Sequence, residues 1–150
     1  MLAGIALMRI QSLSNDITQL IDQDYPRSIL AHRIKADVNE VSRSMLSILI
    51  MTEPGQIEEE LKKVDKYTRS SEDLLKQLQQ SVKDDEGVKL MADITKVRDK
   101  AKKSQNAFVG LVKEDLKEDA MTKFLFSIRP AHTRYFDHLD KLVALQEANM

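Results

Sequence analysis

The chain has no cysteine and no tryptophan, and only four glycines and three prolines among 150 residues. Without cysteine there is neither a disulfide nor thiolate chemistry, and the redox compartment is left open. Few turn breakers and few aromatic or strand-forming runs argue against a strand-rich fold. Charge of one sign is also missing: 23 Lys and Arg stand against 24 Asp and Glu, a net charge of −1. Interleaved charges of this kind cover solvated helix faces and leave no electrostatic footprint for nucleic acid. No long apolar run is present either. The N-terminal "MLAGIALM" is eight residues long, short of the roughly 20 needed to span a bilayer. It lacks the charged start and small-residue cleavage site of a signal peptide. It reads either as a hydrophobic helix start or as the trimmed end of a transmembrane helix.

What the chain does have is Leu, Lys, Glu, Asp, Ala, Ser and Met, a helix-forming composition. Three joints divide it. In "TEPGQ" (52–56) Pro54 suits a first helical turn. In "KDDEG" (83–87) Asp84 or Asp85 can cap the next helix, and in "KEDLKED" (113–119) Asp115 and Glu118 have capping-box-like spacing. Helices are therefore expected at about 4–52, 55–82, 85–113 and 116–149, forming a single domain over 1–150.

Each segment carries one apolar stripe on alternating three- and four-residue steps. The first holds Leu30, Ile34, Val38, Val41, Met45 and Ile48; the second runs Ile57, Leu61, Val64, Leu75, Leu78 and Val82, passing through Thr68 and Ser71. The third runs Leu90, Ile94, Val97, Ala101, Ser104, Phe108 and Leu111; the fourth Met121, Leu125, Ile128, His132, Tyr135, Leu139 and Leu142. Short joints make sequential helices antiparallel. The spacing predicts an all-α, up-down-up-down four-helix bundle roughly 50–60 Å long, with the first and fourth helices longest and overrunning the middle pair at one end. The chain stops in mid-helix at "LVALQEANM", so both ends look like continuations into flanking membrane helices.

Counted from the opposite end, every helix exchanges large apolar residues for small or polar ones at a similar depth. Asn39 and Arg43 do so on the first helix, Thr68 and Ser71 on the second, Arg98, Ala101 and Ser104 on the third, Arg129 and His132 on the fourth, with Thr133 and Tyr135 beside them. Buried polar groups cost about 1–3 kcal/mol each when unpaired. Small residues leave room and hydroxyl, His and Arg groups supply donors, the makeup of a pocket for a small polar anion. Hydroxyls on a seam can instead bond back to their own helix. Pro130 would bend the fourth helix and free a carbonyl at this height.

The run "LMRIQSLSNDITQLIDQDYPRSILAHRIKADVNEVSRSMLSILIM" resembles the first helix of the four-helix-bundle sensor domain of methyl-accepting chemotaxis proteins, with Ile34, Val38, Arg43 and Leu46 in the family pattern. "AMTKFLFSIRPAHTRYFDHLDKL" is similar to its fourth helix through Ala120, Leu125, Pro130, Tyr135, Leu139 and Leu142. "LMADITKVRDKAKKSQNAFVGLV" is similar to the third, with Arg98 in the family's Arg position. The family often has a glycine in the joint before the fourth helix, and "KEDLKEDA" has none. The resemblance implies a periplasmic domain of an inner-membrane receptor, flanked by transmembrane helices, pairing as a homodimer and binding amino acids or organic acids. By that analogy Arg43 acts across the dimer, while Arg98 and Arg129 serve a pocket inside one bundle.

Paired guanidinium groups match carboxylates in bidentate fashion. Malate, succinate or citrate are favoured, with amino acids possible through Asn39 or the hydroxyls. There is no Gly-rich phosphate loop and no Glu-x-x-His metal pair, and His32, His132 and His138 are scattered. Catalysis, cofactor and metal are not expected. The alternatives are the same fold on a histidine kinase, or a structural, partner-binding bundle with a dry core.

Overall fold

The computed structural model describes residues 26–148. Four helical rods run up, down, up and down: α1 (Pro26–Ile50), α2 (Pro54–Ser81), α3 (Asp85–Lys113), and a fourth rod made of α4 (Lys117–Lys123), a π turn (Phe124–Ile128) and α5 (Arg129–Ala148). No strand occurs among the described residues. The part of the first helix expected over 4–25, and with it the overrun at the open end, lies outside the described residues.

Local chemistry sets the joints. Pro54 opens α2, where its missing N–H costs nothing because first-turn donors have no helical acceptor. Asp84 caps α3, its side chain accepting from the Gly87 N–H at 3.0 Å, and Gln146 of α5 donates to the same carboxylate at 3.3 Å. These bonds hold the Asp84 carboxyl below the usual carboxylate range, the Gly87 N–H contributing most. A Cβ on Gly87 would stand 2.4 Å from Val82 Cγ1 and 2.8 Å from Asp84 Oδ1, so a larger residue there would have to displace Val82 or the Asp84 cap.

The third joint differs from the expected capping box. Leu116 precedes α4 and offers no side-chain cap. Asp115 adopts φ 60°, its N–H reaching the Val112 carbonyl at 3.0 Å while the Leu116 N–H reaches Leu111 at 2.8 Å. That is a Schellman closure, normally completed by glycine. Asp115 thus does the work of the glycine that the joint lacks.

α1 packs closely along α2, and α3 along α5, while α2 and α3 touch only slightly. The six expected core residues of α1, from Leu30 to Ile48, are all buried. On α3, Ile94, Ala101 and Phe108 are buried as expected, joined by Gly87, Met91 and Val112. The fourth stripe is corrected at its start. Ala120 and Phe124 are buried, whereas Met121 is 46% and Leu125 39% exposed. From Ile128 onward the expected register holds through Tyr135, Leu139 and Leu142. The reason is the π turn, closed by the Arg129 N–H bonding Phe124 five residues back. It inserts one residue, so a stripe extrapolated backward on α-helical steps slips by one.

The core falls into two apolar halves. One gathers Leu30, Ile34, Leu75, Leu78, Ile94, Leu139 and Leu142 near the α2–α3 joint. The other gathers Val41, Met45, Ile48, Val64, Phe108, Phe124 and Ile128 toward the opposite end, with the Phe108 and Phe124 ring centroids 6.3 Å apart. Between these halves lies a band of polar side chains.

Candidate ligand-binding site

The band is built from all four rods. Ser42 of α1 shares a 3.0 Å hydrogen bond with Nδ1 of His132 on α5. Gln105 of α3 donates to the Thr68 hydroxyl of α2 at 2.8 Å. Ser71 is buried and donates to the carbonyl of Thr68 at 2.8 Å, the back-bonding that lets a hydroxyl sit on a seam. Glu72 of α2 takes Arg98 at 3.4 Å and also Lys102. Burial moves two titrating groups in the band. The His132 imidazole is pushed down to about 4, because desolvation disfavours its cation. The Tyr135 hydroxyl is pushed up for the same reason, Arg98 opposing and Glu72 reinforcing the shift.

Three of the cavities formed by the described residues open off this band, each between a different pair of rods. One of about 380 Å³ lies between α1 and the fourth rod, lined by Asn39, Ser42, Arg129, His132 and Thr133 with Leu46, Phe124 and Phe136. A second, about 480 Å³, lies between α2 and α3, where Thr68, Gln105, Glu72 and Lys102 meet Arg69 and Asp65. The third, also about 480 Å³, lies between α3 and the fourth rod and includes Ser104.

The ten residues singled out in the sequence therefore do not converge on one interior pocket. Asn39, Arg129, His132 and Thr133 come together beside α1; Thr68 and Ser104 face separate cavities. Ser71 and Tyr135 are buried packing residues. Arg98 does not flank a pocket with Arg129: its guanidinium lies against Glu72, and against Asp99 at 3.0 Å. The acid that claims it sits next to Ser71, half-buried at the edge of the α2 stripe, where acidic residues were assigned to solvent. Arg43 is exposed and pairs with Glu40 at 3.6 Å on its own helix. Ser42 was missed altogether, although it lies three residues from Asn39 and so on the same face of the helix.

The first cavity carries an unbalanced positive charge. It holds an arginine, a histidine, two hydroxyls and an amide but no carboxylate, and Arg129 pairs with no carboxylate among the described residues. The second is lined by both signs of charge and neutralises itself. An open cationic cavity in a four-helix bundle agrees with what comparison of the whole chain finds: residues 1–149 match the family model described as a four helix bundle sensory module for signal transduction. The chain belongs to that family. As a sensory module it works by recognition and transmission, and the family is not an enzymatic one. Comparison with curated proteins finds no match. Among the described residues no helix of this sensory module is long and apolar enough to cross a membrane.

Proposed function

We propose that the chain is the extracytoplasmic ligand-binding domain of a transmembrane chemoreceptor. It senses a small organic anion, a di- or tricarboxylate such as malate, succinate or citrate, in the cavity between α1 and α5. The charge imbalance of that cavity carries the proposal. Arg129 supplies a guanidinium fork with no internal acid to occupy it, and Asn39, Ser42, His132 and Thr133 supply the polar wall. His132 is neutral near pH 7, so it contributes a hydrogen bond and not a charge. Under this reading the domain sits in the periplasm, carried by flanking transmembrane helices. It pairs as a homodimer through α1, with Arg43 reaching the partner's ligand. Its signal is a small displacement of the fourth rod against α1.

A thermal-shift panel of malate, succinate, citrate, aspartate and benzoate tests the reading. A bound acid at 100 times its dissociation constant adds about 2.7 kcal/mol, or roughly several degrees for a domain of this size. Arg129→Ala should remove most of the shift, since an arginine from a charge-assisted pair is worth about 2 kcal/mol or more of binding. Arg69→Ala, beside the α2–α3 cavity, should not. Arg98→Ala should lower stability but spare the shift. If no member of the panel moves the melting temperature, the anion-sensor reading falls.

A further inference from the structure

The third cavity is lined by four cations. Lys100 and Lys103 line it from α3, Lys123 from α4 and Arg134 from α5, and no acidic residue joins them. None of the four is within ion-pair distance of a carboxylate among the described residues. The contrast lies on α3 itself, where Arg98 and Lys102, facing α2, are both taken by Glu72. Four like charges around one concavity repel one another and focus a positive potential into it. An occupant carrying several negative charges relieves the repulsion; a monoanion leaves most of it in place.

The π turn completes the wall. Its additional residue presents Ser127 and Phe126 to the groove, and Phe126 is 76% exposed. A π turn is rare and concentrates at functional positions. Here it sets a hydroxyl donor and an apolar face beside the four cations, opposite Ser104. The groove shares no lining residue with the cavity between α1 and α5.

We infer that the groove between α3 and the fourth rod is a second anion site, which takes a small molecule bearing three or more negative charges, whether as carboxylates or as phosphates. Its ligand is set by charge number, whereas the α1–α5 cavity with its single arginine also takes dianions. The two sites are occupied independently.

Titration calorimetry on the 150-residue chain with citrate and with tripolyphosphate tests the inference and tells the two sources of charge apart. At least one should bind, more weakly as salt rises, and acetate should not compete. Lys100→Ser with Lys103→Ser should weaken binding about tenfold or more, the loss of one charge-assisted bond being enough for that. Phe126→Ala should weaken it less. Lys62→Ser, at an exposed position on α2, should leave it unchanged. All these positions are exposed, and melting curves establish that each variant folds. Failure of both polyanions to bind at millimolar concentration overturns the inference. So does citrate binding that Arg129→Ala abolishes and the double lysine variant does not, a result that would still uphold the sensor reading of the α1–α5 cavity. Loss in the lysine variant alone upholds the groove and leaves the first cavity to its own test.

Discussion

Asp115 holds a left-handed backbone conformation at φ 60°, which costs most L residues roughly 1–2 kcal/mol and Asp somewhat less. It does so to close the Schellman turn that reverses the chain between α3 and α4. Asp115→Gly should therefore raise stability by about 1 kcal/mol, read as a higher urea midpoint with unchanged slope. Asp115→Val should lower it. His132 makes the opposite kind of statement, one that depends on pH. Its folded value is depressed to about 4 from an ordinary 6.5, so between those values the unfolded chain takes up a proton that the folded chain refuses. Its contribution is present in full above pH 6.5 and is lost as pH falls toward 4, by about 1.4 kcal/mol per unit and about 3 kcal/mol in all. No carboxylate in its cavity is available to hold the cation. Urea melts at falling pH should show this acid limb, and His132→Asn, though less stable at pH 7, should lose much of the slope. His132 was visible in the sequence because it is a polar residue on the apolar stripe of the fourth rod. Asp115 was visible only as a helix cap, since a positive φ leaves no mark in a chain without glycine there.

At the scale of elements, the first two apolar stripes were readable because each keeps a steady three-four rhythm over an unbroken helix. The fourth was readable only downstream of Ile128. The clue lay two residues beyond the π turn, at Pro130. A proline ring clashes with the carbonyl four residues back and lacks the N–H that would bond it, at a cost of about 3 kcal/mol in a regular helix. A widened turn just before it removes both conflicts and carries the stripe from Ala120 through Phe124 to Ile128 on two four-residue steps, which a regular helix cannot keep in line. The turn and the proline should thus be energetically coupled. Deleting Phe126 restores a three-four rhythm but returns Pro130 to a regular helix, and should cost about 3 kcal/mol. Deleting Phe126 together with Pro130→Ala should recover most of that loss, while Pro130→Ala alone should change stability little, because Phe124 is held by Phe108. Additive effects in this double-mutant cycle would mean that the π turn is held by core packing alone.

Across the whole molecule, the polar band between the two apolar halves was foreseen as a layer but not as three separate cavities. Residue depth along a helix follows from counting, whereas the direction of each side chain depends on which rods pack closely and which stand apart. That arrangement also leaves an outward row on α1, running Asn39, Arg43, Leu46 and Ile50, with Leu46 50% and Ile50 83% exposed. Leu46 belongs at once to this row and to the wall of the α1–α5 cavity, so an occupant of the cavity touches the surface on which a second copy would pair. Sedimentation over a range of concentrations should show a weak dimer that Ile50→Asp disrupts without affecting ligand binding by the monomer. If Arg43 reaches the partner's ligand, a saturating acid should tighten the dimer about tenfold or more, since a charge-assisted bond contributes roughly 1.5–3 kcal/mol. Arg43→Ala should erase that ligand-linked gain and leave the ligand-free dimer as it was. A dimer constant indifferent to ligand in the parent chain would confine recognition to the single bundle and assign Arg43 to its pairing with Glu40.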